Sequence, residues 1–217
     1  MEFIDFFLHI DDHLTAIIND YHYWTYLILF MIIFIETGLV IWPFLPGDSL
    51  LFAAGAIIAT GQTSLNIWVM IALLIVAAIL GDTVNYIIGK FFGSRVLKLS
   101  FRGKPIVKEK YIQQTHEFYE KHGSKTIILA RFVPIVRTFA PFVAGIGSME
   151  YKKFISFNVI GGIVWITSLS LLGYFIGTNP IVKENFEFVI LGIIGISVLP
   201  MIFEILKNYF KSKSSVN

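Results

Sequence analysis

Apolar residues in this chain gather into long runs separated by short polar breaks. The first run, Tyr23 to Trp42, contains one charged residue, Glu36. A proline-rich break follows, Pro43-Phe-Leu-Pro46-Gly47-Asp48, and then a short apolar run from Leu50 to Ala59 closed by Thr60-Gly61-Gln62. Leu65 to Phe92 is long and carries Asp82 within it. After a polar, helix-like stretch from Lys108 to Lys121 that reads as solvated, Gly123 marks a stop and Ile127 to Gly147 begins a second broken region. Phe154 to Ile176 and Phe188 to Leu206 complete the pattern. A membrane-spanning helix needs about 20 mainly apolar residues. The long runs meet that length, whereas Leu50–Ala59 and Ile127–Ala130 do not. Short apolar runs beside proline breaks predict re-entrant hairpins, which enter the membrane and turn back. Ahead of all this, Phe3, Phe6, Phe7, Ile10, Leu14, Ile17 and Ile18 recur at steps of three and four, which predicts an amphipathic helix over residues 1–22.

The order of marks repeats. Ala54-Gly55 and Tyr86-Ile-Ile-Gly89 in the first half match Ala144-Gly145 and Tyr174-Phe-Ile-Gly177 in the second. The expected fold is therefore all-α and membrane-embedded: an inverted repeat of two re-entrant hairpins facing each other from opposite sides, each followed by a long helix. A single domain over 23–206 would hold the first repeat (23–93), a basic loop (94–125), the second repeat (126–177) and a last span (187–206), with a basic tail over 207–217. Gly89/Gly93 and Gly173/Gly177, each pair four residues apart, predict close helix approach.

Composition supports the membrane reading, with 56% apolar and only 15% charged residues and a mean hydropathy of +0.74. The lack of cysteine excludes disulfides and thiolate chemistry. No Lys or Arg precedes Lys90, and nine of the seventeen fall between Lys90 and Lys125. Positive loops stay cytoplasmic, so that loop is expected inside. The tail with Lys207, Lys211 and Lys213 then falls inside too. The acidic N-terminus (Glu2, Asp5, Asp11, Asp12) does not resemble a secretory signal.

Glu36, Asp48, Arg131 and Arg137 stand at membrane depth, where a charge costs about 2.5–3.5 kcal/mol or more. Two acids fall in the first hairpin and two arginines in the second, so the four would neutralise each other if the hairpins meet. A guanidinium holds phosphate or carboxylate oxygens bidentately, and broken helices expose N–H groups that favour anions. Arg131 and Arg137 are therefore candidates to bind a phosphate headgroup. A carboxylate held between burial, which favours its neutral form, and a guanidinium, which favours its charged form, can take and release a proton. Glu36 and Asp48 are candidate proton carriers, with Asp82 as an auxiliary. The plainer readings are structural: ion pairs that fasten the hairpins, and a kink at Gly81-Asp82 near Asn85. Pro43, Pro46, Gly47, Pro134 and Pro141 are taken as hairpin-forming backbone breakers. The five histidines all precede Gly123 and read as surface residues, not metal ligands.

These residues make the sequence similar to a known family. Glu36-Thr-Gly38 with Pro43-Phe-Leu-Pro46-Gly-Asp48 and Ala54-Gly55 resembles the first signature of the DedA membrane proteins, the bacterial branch of the VTT-domain or SNARE-associated Golgi-type group. Gly81-Asp82-x3-Tyr86-x2-Gly89 resembles a second signature, and Arg131-Phe-x-Pro134-x2-Arg137-x3-Pro141-x2-Ala144-Gly145 a third. Asn158-x2-Gly161-x3-Trp165 with Gly173-Tyr174-x2-Gly177 resembles the last. Thr37 departs from the pattern, since an aromatic residue commonly stands there. The resemblance implies two opposed re-entrant hairpins, a bacterial inner-membrane location, and essential acidic and arginine positions at Glu36, Asp48, Arg131 and Arg137. It also implies lipid flipping, with undecaprenyl phosphate the leading substrate and phosphatidylethanolamine a second.

The expected function is thus a carrier that recycles undecaprenyl phosphate from the outer to the inner leaflet, coupled to an ion gradient, with the proton as coupling ion. Its alternatives are a phospholipid flippase or scramblase, and a non-transporting membrane assembly factor. No nucleotide-binding pattern is present, so ATP is not the expected energy source. An enzyme is not expected, because neither a histidine nor a cysteine lies in the hairpins. No cofactor, metal or nucleic-acid partner is expected, and self-association into a homo-oligomer is left open.

Overall fold

The structure, a computed structural model, describes residues 22–39, 47–61, 63–98, 100–101, 104–105 and 109–179. The helix expected over 1–22 (His22 apart), Pro43 and Pro46, the span expected over 187–206 and the tail over 207–217 lie outside the described residues. The apolar runs that are described fold as helices: α1 (His22–Gly38), α2 (Gly47–Ala59), α3 (Ile67–Lys98), α6 (Pro134–Ile146) and α7 (Tyr151–Gly177). Between α3 and α6 stand the polar helix α4 (Glu109–His122), the short α5 (Thr126–Leu129) and 3-10 turns at Gly123–Lys125 and Ala130–Phe132. The described residues depart from all-α at one place, a two-residue antiparallel ladder of β1 (Ser100–Phe101) and β2 (Lys104–Pro105). Two residues per strand are too few to leave an alternating pattern in the sequence. Gly61 and Gly123 follow the ends of α2 and α4 with φ of 76° and 57°, the left-handed conformation that glycine adopts freely and that stops helices.

The two long helices are inside-out by the standard of a soluble core. Along α3 the apolar side chains Trp68, Leu73, Val76, Leu80, Ile87 and Phe91 are exposed, Trp68 at 64% and Phe91 at 69%, while Asp82 and Asn85 are buried. On α7, Ile160, Ile163, Val164, Leu172 and Phe175 are exposed, while Asn158 and Ser170 are buried. Apolar residues outward and polar residues inward suit a hydrocarbon surround. Ile67–Gly93 and Tyr151–Gly177, 27 residues each, are long and apolar enough to cross a membrane.

The described residues fall into two compact units, one from 47–67 and 169–179, the other from 23–39 and 68–168. Each is built on the same close approach of a short helix to a long one. In the first unit, a Cβ on Gly55 would collide with the Ser170 carbonyl, one on Gly173 with the Phe52 carbonyl, and one on Gly177 with Ala56. In the second, Gly145 abuts the Tyr86 carbonyl and the Lys90 nitrogen, Gly89 the Phe142 carbonyl, and Gly93 the Ile146 side chain. The contacts correspond at constant offsets: 90 along the short helices (52 to 142, 55 to 145, 56 to 146) and 84 along the long ones (86 to 170, 89 to 173, 90 to 174, 93 to 177). Matching Tyr86 with Tyr174 in sequence therefore sets the repeat off by four residues, about one helical turn. The glycine pairs, not the tyrosines, are equivalent. Because backbone atoms line both seams, Gly55→Ala and Gly145→Ala are each expected to destabilise the protein by about 1–3 kcal/mol. Thermal unfolding of the purified variants in detergent checks this, and unchanged melting would deny the seams.

Two sequence expectations need correction. Pro141 does not break the chain, since it lies inside α6. It removes the N–H that would bond the Arg137 carbonyl and costs about 3 kcal/mol in an ordinary helix. Here the helix is buried on both sides of it, with Phe139, Ala140, Phe142 and Ala144 all in the core. Pro134 acts as expected at the start of α6, after an extended Val133 (φ −121°, ψ 102°). The polar helix α4 is also not simply solvated. Tyr111 packs against Phe139 with ring centroids 5.5 Å apart, and the Tyr119 hydroxyl donates to the Ala140 carbonyl at 3.0 Å. Burial first, and the Asp82 carboxylate second, push the Tyr119 phenol above its ordinary range, so it stays a neutral donor.

Candidate functional site: a buried charge cluster

Glu36 stands in the last turn of α1, and the fit of α1 on α3 explains where it faces. Gly81 leaves space for the Thr37 side chain, and a Cβ there would come within 2.8 Å of the Phe34 carbonyl. Thr37 turns its hydroxyl back onto the Ile33 carbonyl at 2.9 Å. This seam sets Glu36 beside the turn of α3 that carries Asp82. The chain runs unbroken through Gly81, so that glycine serves the approach of α1 and makes no break.

The arginines stand on either side of the break at Val133, Arg131 in the 3-10 turn and Arg137 one turn into α6. Arg131 is 2% exposed and Arg137 9%. Arg137 Nη2 donates to Glu36 Oε1 in a buried ion pair. Arg131 Nη2 donates to Asp82 Oδ2 at 2.6 Å and to Asn158 Oδ1 at 2.6 Å. Asp48 is half-buried in the first turn of α2, which belongs to the first compact unit. Within the second unit Glu36 meets Arg137, and Arg131 takes a partner from the long helix α3. Gly47 is the buried first residue of α2.

The cluster is supported by residues that the charge pattern did not single out. Asn85 is fully buried and its Nδ2 donates to the Thr37 and Thr138 carbonyls, both at 3.0 Å. A reversed amide would set its oxygen against two carbonyl oxygens, so the orientation follows from the partners. Those partners are the residues next to Glu36 and Arg137, so one amide fixes the spacing of the ion pair. On α7, Asn158, Gly161, Gly162 and Trp165 fall at intervals of three, four and seven, one helix face. Gly161 and Gly162 leave space for the Arg131 guanidinium, with a Cβ on Gly161 coming 3.0 Å from Nε. The buried Trp165 ring lies 5.4 Å from the Arg131 Cζ and 4.9 Å from that of Arg137. Desolvated cation–π contacts of this kind contribute about 2 kcal/mol each. Sequence offered one signal for Asn85 and Asn158, a polar side chain in an apolar span. Asn85→Leu would remove two buried hydrogen bonds and is expected to lower stability by about 1–3 kcal/mol. Its thermal melt in detergent checks this, and a wild-type melt would remove the clamp.

Each of the two ion pairs is neutral, which is how charges persist at such depth. The comparisons with known proteins bear on what such a cluster serves. The VTT domain matches residues 45–175. Protein DedA of Escherichia coli K12 is 53% identical over 94% of this chain and 93% of its own. The chain belongs to the DedA family. A second relative, the inner membrane protein YqjA of E. coli K12, is 38% identical over 72% of this chain and 69% of its own. A membrane protein of Mycobacterium leprae is 44% identical over 78% and 74%. No solved structure matches. These relatives put the role of this DedA-family chain at the membrane, and a bacterial inner membrane agrees with the name of YqjA.

Proposed function

We propose that this DedA-family protein carries a lipid phosphate across the membrane, with undecaprenyl phosphate moving from the outer to the inner leaflet. The observation that supports this best is the buried pair of arginines, each held by a carboxylate that a phosphate oxygen can replace. Arg131 and Arg137 take the phosphate, and Glu36 and Asp48 carry the coupling protons. A re-entrant, inverted arrangement is supported by the short helices α2 and α6, too short to span, and by the constant offsets of their packing on the long helices. The basic loop and tail favour a cytoplasmic C-terminus. Carriage, not turnover of the lipid, is the chemistry proposed for the two guanidiniums, which hold a phosphate by charge and hydrogen bonds.

The test is transport by the purified protein in vesicles that hold undecaprenyl phosphate, with phosphatidylethanolamine added in excess as competitor. The proposal expects outer-leaflet undecaprenyl phosphate to fall with time and the competitor to have little effect. Equal competition would favour the phospholipid reading. An absence of movement for either lipid would favour an assembly role.

A further inference from the structure

We propose that Asp82 is the group on which a proton is exchanged for lipid phosphate at Arg131. This inference rests on the phosphate-carrier reading and assigns to the site a proton acceptor that differs from Glu36 and Asp48. The starting point is charge. Without ligand the buried Arg131–Asp82 and Arg137–Glu36 pairs are each neutral. A phosphate arriving on Arg131 adds at least one negative charge to a balanced set. An uncompensated charge in such surroundings costs several kcal/mol even after relaxation.

Arg131 is already committed. Its Nη2 gives one hydrogen to Asp82 and one to Asn158, while Nε and Nη1 make no hydrogen bond among the described residues. Two unpartnered donors on a guanidinium that is 2% exposed are costly to leave unmade, and they point to an acceptor that binds there. Nε faces Gly161 closely, so a phosphate that engages Arg131 bidentately has to displace the guanidinium from Asp82. Asp82 cannot follow it or reach water. Its side chain is short, it lies on the inward face of the 32-residue helix α3, and Gly81 beside it is covered by α1. Among the described residues, the charged and titratable groups around it are Arg131 at 2.6 Å, then Arg137 from α6 with its partner Glu36 from α1, and the Tyr119 phenol from α4. Arg137 is held by Glu36, and Tyr119 gives its proton to the Ala140 carbonyl.

The step then balances as follows. The Asp82–Arg131 ion pair breaks, a phosphate oxygen takes the guanidinium, and one proton from solution forms an O–H bond on the Asp82 carboxylate. Arg131 keeps all its protons. With a phosphate monoanion the cluster returns to zero. The amide of Asn158, held by its own bond to the Ile79 carbonyl at 3.1 Å, offers Oδ1 as acceptor to the new O–H. Release of the lipid on the other side reverses each step, so the Asp82 proton travels with the phosphate, beside any carried by Glu36 and Asp48.

The test uses the full-length protein in detergent micelles and farnesyl phosphate as a soluble phosphate monoester, with farnesol as control. Calorimetry in buffers of different ionisation enthalpy gives the protons taken up per ligand bound. At pH 8 the probe is a dianion, because its second pKa is about 6. The wild type is expected to take up about one proton or more per farnesyl phosphate and none with farnesol. Asp82→Asn, which mimics the protonated acid, is expected to bind the probe with about one proton fewer. If that variant does not fold, Glu36→Gln at about pH 5, where the probe is already a monoanion, takes its place: uptake of about one proton is expected to persist there, and its absence overturns the inference. Binding by the wild type without proton uptake overturns this inference and leaves the phosphate reading standing. Unchanged uptake in Asp82→Asn overturns it as well, because the proton then sits on Glu36 or on the ligand. A wild type that does not bind farnesyl phosphate removes the phosphate reading, and this inference with it.

Discussion

An Arg131→Met variant is expected to lose about 3–5 kcal/mol of stability and to move no lipid. The loss follows from burial, because Asp82 loses its counter-ion and has either to bear a buried charge or to take up a proton. Adding Asp82→Leu is expected to return most of that stability. Replacing a whole buried ion pair by apolar side chains of similar volume is often neutral or stabilising, by about 1–4 kcal/mol. Transport, however, stays lost, since no guanidinium is left to take the phosphate. The pair of variants separates the two readings of this ion pair. A structural fastener predicts recovery of both properties in the double variant, and a phosphate site predicts recovery of one. Thermal unfolding in micelles and lipid movement in vesicles measure the two properties on the same preparations.

Glu36→Gln is the second variant with a large expected effect. The amide keeps the shape and an acceptor for Arg137 but removes the negative charge, so the stability loss is held to about 1–3 kcal/mol. The Asn85 clamp still fixes the spacing of α1 and α6. Arg137 then carries an uncompensated positive charge, which favours the anionic lipid in the bound state and slows its release. Because residue 36 no longer titrates, the dependence of transport on pH is expected to flatten. A steep, unchanged pH profile in Glu36→Gln would take Glu36 out of the proton path, and an unchanged rate would favour the assembly reading.

Much of this site was legible from residue types alone. A glutamate in an apolar run and two arginines around a proline stand out because hydrocarbon makes them costly. Their pairing was not legible. Arg131 meets Asp82 because α1, α3 and α6 approach through Gly38, Gly81, Gly89 and Gly145, and such seams are decided by three-dimensional fit. Corresponding glycine seams recur in the two units, and the Tyr-x2-Gly pattern misaligns them by one turn, because it repeats next to the glycines that carry the packing. Pro141 was read as a breaker from its local chemistry, and tertiary packing overrode it. Trp165 is unremarkable in an apolar helix until the structure sets both guanidiniums against its ring.

The most direct measurement follows undecaprenyl phosphate between leaflets in vesicles of purified protein, with and without a pH gradient. The account predicts movement that speeds up when the gradient drives protons in the direction of the lipid, and none in the Arg131→Met, Asp82→Leu variant that remains folded. Equal rates with and without the gradient, or wild-type movement in that variant, would contradict it.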